Sequence, residues 1–367
     1  MKRILSSLAI AAAFVLAAGS AHAQSLNVVS WGGAYTASQQ QAYHDPYMAA
    51  NPGVKIVNHD LGSGALAKLR AEVESGKVTL DLIDMTAADA IVACDEGLVE
   101  PIEPDTWLAA APDGTPASKD FFAGTLTVGG TNCFIPQIVY STTFGYRTDA
   151  FKGKQPSSLL DVFDLKAFPG KRALEKRPNN NMEWALVADG VPAKDVYKML
   201  STDEGVARAF AKLDTIKDQV VWWTKGAQPP QLLADGEVVI ASAYNGRLFS
   251  AIVEKKQPIA IVWDWQAFDL DGWVVPKGGR NIAAVKKYVR FATDTQRLAD
   301  QAKYISYGPA RHSSAGLVGK HAKLGVDMKP HMPTSPENSK TVLISDYVWW
   351  ADHQAELNDK FNAWLAK

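Results

Sequence analysis

Between Asn27 and Met85 the chain alternates short apolar runs with longer amphipathic ones, and this rhythm restricts the fold more than any other feature. Asn27-Val28-Val29-Ser30 reads as a strand. Tyr35 to Asn51 reads as a helix stopped by Pro52-Gly53, and Val54-Lys55-Ile56-Val57 as a second strand. Ala65 to Ser75 carries Leu66, Leu69 and Val73 at helical spacing before Gly76, and Asp81 to Met85 is a third strand. Strand–helix–strand–helix–strand calls for a parallel sheet covered by helices. The same rhythm returns with strands at Val238 to Ala243 and Ile259 to Trp263. A helix follows at Ile282 to Ala292, with Val285, Tyr288, Val289 and Ala292 on one face, and another spans Asp352 to Leu365. A chain of 367 residues exceeds what one core supports, so two domains are expected. No repeat of 20–50 residues and no Pro/Gly/Ser linker interrupts it, which suits two α/β lobes joined by short crossovers.

The N-terminus points to export. Met1-Lys2-Arg3 is cationic, Ile4 to Ala18 is apolar and Ala21-His22-Ala23 is a small-residue cleavage box, so residues 1–23 read as a signal peptide. The apolar run is shorter than the ~20 residues a membrane-spanning helix needs, and no later stretch is longer. The expected compartment is the periplasm, with the mature chain not embedded in the membrane. A formal net charge of −1, without a basic stretch, argues against nucleic acid as a partner. In an oxidising compartment Cys94 and Cys133 suit a disulfide, with two buried free thiols as the alternative.

Aromatic residues gather at turn-like places: Trp31, Tyr35, Trp222, Trp223, Tyr244, Trp263, Trp265, Trp273, Tyr307, Trp349 and Trp350. Eleven tryptophans are many for a core, because each indole N–H demands a partner. Trp31 directly follows the first strand in Ser30-Trp31-Gly32-Gly33-Ala34-Tyr35, where glycines allow close backbone approach and where ligands of open α/β sheets bind. Phe268-Asp269-Leu270-Asp271-Gly272-Trp273 is read as placing two carboxylates just before a strand. An ammonium group needs this combination. A carboxylate offsets the cost of taking the cation out of water, and each aromatic face adds ~0.5–2 kcal/mol.

Catalytic and metal motifs are missing: the chain has no G-x-S-x-G, H-E-x-x-H or P-loop. Tyr307-Gly308-Pro309-Ala310-Arg311-His312-Ser313-Ser314 sets a histidine beside two serines, but sequence neighbours do not make a nucleophile and its base. The reading is therefore a binding protein with no cofactor and no metal.

These stretches resemble the spermidine/putrescine-binding family of periplasmic ABC-transporter receptors along essentially the whole mature chain. The resemblance rests on Ser30 to Tyr35, Phe168-Pro169-Gly170-Lys171-Arg172, and Gly226 to Leu233 followed by Asp235 to Val239. It rests also on Ala243-Tyr244-Asn245-Gly246-Arg247, Phe268 to Asp271 leading to Pro276, and Tyr304-Ile305-Ser306-Tyr307. It implies a two-lobed type II binding-protein fold with mixed or parallel sheets flanked by helices, two hinge crossovers and a ligand in the cleft. Lobe one would hold residues 25–138 and 273–311, and lobe two 139–272 and 312–367. The resemblance also implies a monomer that hands its ligand to an inner-membrane ABC permease. Carried over by position, Trp31, Tyr35, Thr86, Tyr244 and Tyr307 match cleft contacts, and Asp271 matches the acid that holds an ammonium.

The departures from the family pattern bear on the ligand. Asp269 replaces a family tryptophan. Where polyamine binders carry acids for a distal amine, this chain aligns Arg177 and Asn180. An amine facing arginine suffers like-charge repulsion, whereas a carboxylate there receives charge-assisted hydrogen bonds. The expected ligand is thus a zwitterion such as 4-aminobutyrate, its ammonium on Asp271 or Asp269 and its carboxylate on Arg177 or Arg247. The alternative is a polyamine whose second amine meets Glu175 or Glu183 while Arg177 faces solvent. Rivals from other classes are a periplasmic hydrolase and a ferric-ion receptor on the same architecture. The latter usually offers neighbouring tyrosines, and no Tyr-Tyr pair occurs here.

Overall fold

Two long antiparallel strands form the spine on which everything else is hung. In the computed structural model, which describes residues 24–367, the strands are β1 (Gln24–Ser30), β2 (Val54–Asp60), β3 (Leu82–Thr86), β4 (Ile135–Arg147), β5 (Arg172–Glu175), β6 (Val220–Trp223), β7 (Ile240–Tyr244), β8 (Ile259–Val274), β9 (Gly308–Pro309) and β10 (Val342–Ile344). The signal peptide placed on residues 1–23 lies outside the described residues. Along the sheet the strand order is β2-β1-β3-β8-β4-β7-β5-β6, with β10 beside β8 and β9 beside β4. The outer strands pair in parallel on both sides: β1 with β2 and β3, and β5 with β6 and β7. All four of these parallel pairs are linked through helices, as such crossovers require.

Strands β4 and β8, 13 and 16 residues long, run through both halves of the molecule. Their ladder extends from Ile135↔Trp273 to Arg147↔Ile259 and is interrupted at Pro136/Ile138 and Thr142/Phe144. Bulges of this kind bend a strand and increase its twist. Each end of the spine has its own core. On one side Val28, Tyr43, Leu82, Trp273, Val285 and Tyr288 pack together. On the other Phe144, Trp184, Leu186, Val262, Trp350 and Phe361 do so. The C-terminal helix Tyr347–Leu365 packs Trp350, Leu357, Phe361 and Trp364 into the second of these cores, and its Tyr347 and Ala351 lean on a separate cluster that includes Val29, Ile83, Met85 and Phe134.

Several expectations need correction. Asp269 and Asp271 do not precede a strand; they lie inside β8, which continues eleven residues beyond Trp263. The helix expected from Tyr35 to Asn51 is divided by a π-helical turn, Gln40–His44, between Gly33–Gln39 and Asp45–Ala50. The last helix begins at Tyr347 because Asp346 caps it, accepting from the Trp349 amide at 3.0 Å. Cys94 and Cys133 form a disulfide. Among the described residues no helix is long and apolar enough to cross a membrane.

Candidate functional site

Where the two halves face each other, a cavity of about 470 Å³ opens beside the spine. Eight of the ten residues singled out from sequence line it: Trp31, Tyr35, Thr86, Arg177, Tyr244, Arg247, Asp271 and Tyr307. Asn180 and Asp269 are not in the lining. Asn180 precedes the helix Asn181–Ala188 and donates to Thr142 Oγ1 at 3.2 Å. Asp269 accepts from Tyr140 Oη at 3.0 Å and from the Leu270 amide at 2.7 Å.

One end of the cavity is anionic. Asp271 accepts from Trp31 Nε1 on Oδ2 and from Tyr35 Oη on Oδ1, both at 2.8 Å. Trp31 and Tyr35 therefore act as donors that fix the carboxylate as well as rings beside it. Burial and the neighbouring Asp84 push the Asp271 carboxyl well above its usual range, against the two hydrogen bonds that favour its anion. Burial likewise keeps Tyr35 protonated, so it remains a donor.

The other end is cationic. Arg177 follows β5 and lies 2.9 Å from Glu175 Oε2, an ion contact whose angle leaves Arg177 Nε without a hydrogen-bond acceptor among the described residues. Tyr244 Oη donates to the other Glu175 oxygen at 3.1 Å. Burial alone would lower the Arg177 pKa, but the negative charge of Glu175 raises it, and the guanidinium stays charged. Burial moves Glu175 the other way, upward, against Arg177 and Tyr244.

Aromatic rings join these two ends. Tyr35 and Tyr307 have centroids 5.9 Å apart, Tyr307 and Tyr140 6.0 Å, Tyr140 and Tyr244 5.6 Å, and Tyr244 and Trp223 5.6 Å. Spacings of 4.5–7 Å are those of interacting aromatic pairs. Tyr35, Ile138, Tyr140, Ile305 and Tyr307 form a small apolar cluster of their own, packed against Trp31, Ala34 and Tyr244.

Arg247 spans the cleft. Its Nη2 donates to the carbonyl oxygens of Trp31 at 3.3 Å and Gly32 at 3.2 Å. The glycines after Trp31 thus admit a protein side chain. A Cβ on Gly33 would stand 2.9 Å from Arg247 Nη1, and one on Gly226 2.8 Å from Arg247 Nε. Gly32 and Gly33 also hold φ of 76° and 59°, which carries the chain from β1 into the helix Gly33–Gln39. Thr86 caps the helix Ala87–Asp95, its Oγ1 accepting from the Asp89 amide at 3.3 Å.

Sequence reasoning missed Tyr140, which lies in an apolar run that reads as core, and the segment Thr224–Ala227. Glu175 was weighed only as an alternative partner and lines the cavity; Glu183 does not. Several flagged tryptophans pack instead: Trp223, Trp273 and Trp350 are buried, and Trp222, Trp265 and Trp349 lean on the second core. The His-Ser segment is structural. Arg311 pairs with Asp120, Ser313 is bonded to the same acid, and His312 meets Phe122 edge to face at 4.6 Å.

A cleft between two α/β halves, crossed by two strands and lined by opposite charges, defines a two-lobed ligand receptor of the type II binding-protein class. The chain belongs to the bacterial extracellular solute-binding protein family, whose pattern matches residues 42–334. It is 38% identical over 351 residues, 96% of this chain and 94% of the relative, to the gamma-aminobutyric acid-binding protein of Pseudomonas aeruginosa strain PAO1. Among solved structures, the Atu4243-GABA receptor shares 30% identity with a TM-score of 0.78, covering 94% of this chain and 98% of that one. The binding protein MotA from A. tumefaciens B6, solved with glucopine, shares 28% identity with a TM-score of 0.80, covering 93% and 100%. The protein is the solute-binding component of an ABC transporter, and its relatives are ligand-binding proteins rather than enzymes.

Proposed function

We propose that the cleft captures a small zwitterion whose ammonium and carboxylate are separated by a short apolar chain, 4-aminobutyrate being the simplest fit. The observation that carries this reading is the polarity of the cavity. Asp271, held by Trp31 and Tyr35, stands at one end of a strip of tyrosine rings, and Arg177 stands at the other. The ammonium pairs with Asp271 among aromatic faces, and the carboxylate takes Arg177 donors that Glu175 does not use. The names of two relatives, one curated and one solved, support the same ligand. Residues 25–138 with 273–311 and residues 139–272 with 312–367 are the two lobes that close over it, their limits falling near the long strands β4 and β8. The protein acts as a periplasmic monomer, after loss of residues 1–23, and hands its ligand to an inner-membrane permease.

Isothermal titration with 4-aminobutyrate, putrescine and spermidine tests this. Binding of 4-aminobutyrate at least about 100-fold tighter than putrescine is expected, because the diamine sets its second charge against Arg177. Tighter binding of putrescine would replace the zwitterion with a polyamine held by Asp271 and Glu175.

A further inference from the structure

We propose that Asp84, buried beneath the cleft and outside its lining, is the second anion of the amine subsite, and that with Asp271 it couples capture of a cation to release of a proton. The proposal rests on the reading that Asp271 receives the ammonium. In the antiparallel ladder of β3 and β8, Thr86 stands opposite Asp271 and Asp84 opposite Trp273. Opposed residues share a sheet face, and so do alternate residues of one strand. Asp84 is therefore the diagonal neighbour of Asp271 on the same face, about 7–8 Å away.

The first helix holds both acids. Tyr35 donates to Asp271 at 2.8 Å; one turn later Gln39 Nε2 donates to both oxygens of Asp84 at 3.1 and 2.9 Å. Gln137 adds a bond to Asp84 Oδ1 at 2.5 Å, and Ser30 donates to Gln39 Oε1 at 2.6 Å, which turns the amide nitrogen toward Asp84. The bonds from Tyr35, Gln39 and Gln137 are all donors to carboxylate, and among the described residues neither acid forms an ion pair. The titratable groups facing Asp84 are phenols: Tyr35 and Tyr43 from the N-terminal helical segments and Tyr288 from the helix Ile282–Ala292. Asp271 acts on Tyr140 of β4, on Tyr307 and on Asp269 of its own strand, and Tyr307 also feels the opposite charge of Arg247.

Two buried carboxylates without a cation resist being charged together. Burial pushes Asp84 up to about 7, so near neutral pH the pair retains a proton. An arriving ammonium makes the fully ionised pair favourable, and that proton leaves to solvent as the ammonium–carboxylate contact forms. An isostere that lacks the ammonium, such as 4-hydroxybutyrate, displaces nothing.

Titration calorimetry at pH 7 in two buffers of different ionisation heat reads the proton directly. The unmodified protein should release a large fraction of one proton with 4-aminobutyrate and none with 4-hydroxybutyrate. Asp84→Asn should reduce the release and weaken 4-aminobutyrate about tenfold while leaving 4-hydroxybutyrate unmoved. Unchanged affinity and release in Asp84→Asn would overturn the proposal. If that variant does not fold, carboxyl-13C aspartate NMR of the unmodified protein decides: the Asp84 or the Asp271 signal must move toward the ionised position on adding 4-aminobutyrate, and two stationary signals end the idea. Should 4-aminobutyrate not bind the unmodified protein, the ligand reading falls by itself. The pair is then judged without ligand, where Asp271→Asn must lower the midpoint at which Asp84 titrates; an unmoved midpoint overturns it.

Discussion

Arg247 crosses the cleft to donate to the main-chain carbonyl of Trp31, so a charged side chain of one lobe is bound to backbone of the other. A second bond to Gly32 and the glycines at 33 and 226 make room for it. A contact of this kind favours the closed arrangement whatever the ligand is. It occupies Nη2, whereas Arg247 Nε, like Arg177 Nε, has no hydrogen-bond acceptor among the described residues.

Arg247→Met is therefore expected to weaken 4-aminobutyrate and n-butylamine alike, each by about tenfold, since hydrogen bonds from charged groups contribute ~1.5–3 kcal/mol. Small-angle scattering of the ligand-free variant should show a larger radius of gyration. A loss confined to ligands carrying a carboxylate would instead make Arg247 a ligand contact.

Arg177→Met should do the opposite in kind. It removes the carboxylate partner and frees Glu175, which then lacks its counter-charge at 2.9 Å. Affinity for 4-aminobutyrate should fall by about 100-fold, and putrescine should gain, because its second amine replaces the lost guanidinium beside Glu175. Titration of both ligands against the variant measures the exchange; a parallel fall for both would place Arg177 outside the ligand's reach.

The contrast between these two arginines marks how far the chain could be read. Strands at 27–30, 54–57 and 81–85 show themselves through compact apolar runs, and the helix Ile282–Ala292 through its buried stripe of Val285, Tyr288, Val289 and Ala292. The continuation of β8 past Trp263 was hidden because Asp264, Gln266, Asp269 and Asp271 interrupt its apolar pattern; a strand passing between two lobes has no continuous core face to advertise. Trp31, Tyr35, Asp271 and Tyr307 were visible as aromatics and acids near strand ends. That the indole and phenol would donate to the acid was not, because it depends on Asp271 pairing with Thr86, 185 positions away in the chain. Tyr140 sits in Ile135–Tyr146, whose apolar character argues for core, yet it lines the cleft between two register shifts of β4.

The disulfide gives a stability test independent of the ligand. Cys94 lies in the last turn of the helix Ala87–Asp95 and Cys133 precedes β4, with a separation of 39 residues. Closing a loop of that length removes about 4 kcal/mol of unfolded-chain entropy. Cys94→Ser with Cys133→Ser should lower Tm by roughly 5–10 °C and leave the 4-aminobutyrate Kd unchanged. An unaltered Tm in differential scanning calorimetry would show that the cross-link contributes no net stability.

Glu183 supplies a pH dependence that belongs to folding rather than to binding. It is buried in the second core, where Trp350 Nε1 at 2.8 Å and Tyr197 Oη at 3.2 Å both donate to Oε1, and Oε2 has no partner among the described residues. Burial pushes its pKa up from 4.5 to about 7. Below the lower value the acid is neutral in folded and unfolded chains and costs nothing. Between pH 4.5 and 7 the unfolded chain ionises first, so folding stability falls as pH rises, and above 7 the full penalty persists. Glu183→Gln removes the charge while keeping the acceptor for Trp350. Relative to the unmodified protein, the variant should therefore gain roughly 2 kcal/mol between pH 4.5 and 8. Denaturant unfolding at a series of pH values measures this, and a difference that stays constant across the range would mean that Glu183 does not titrate in the folded core.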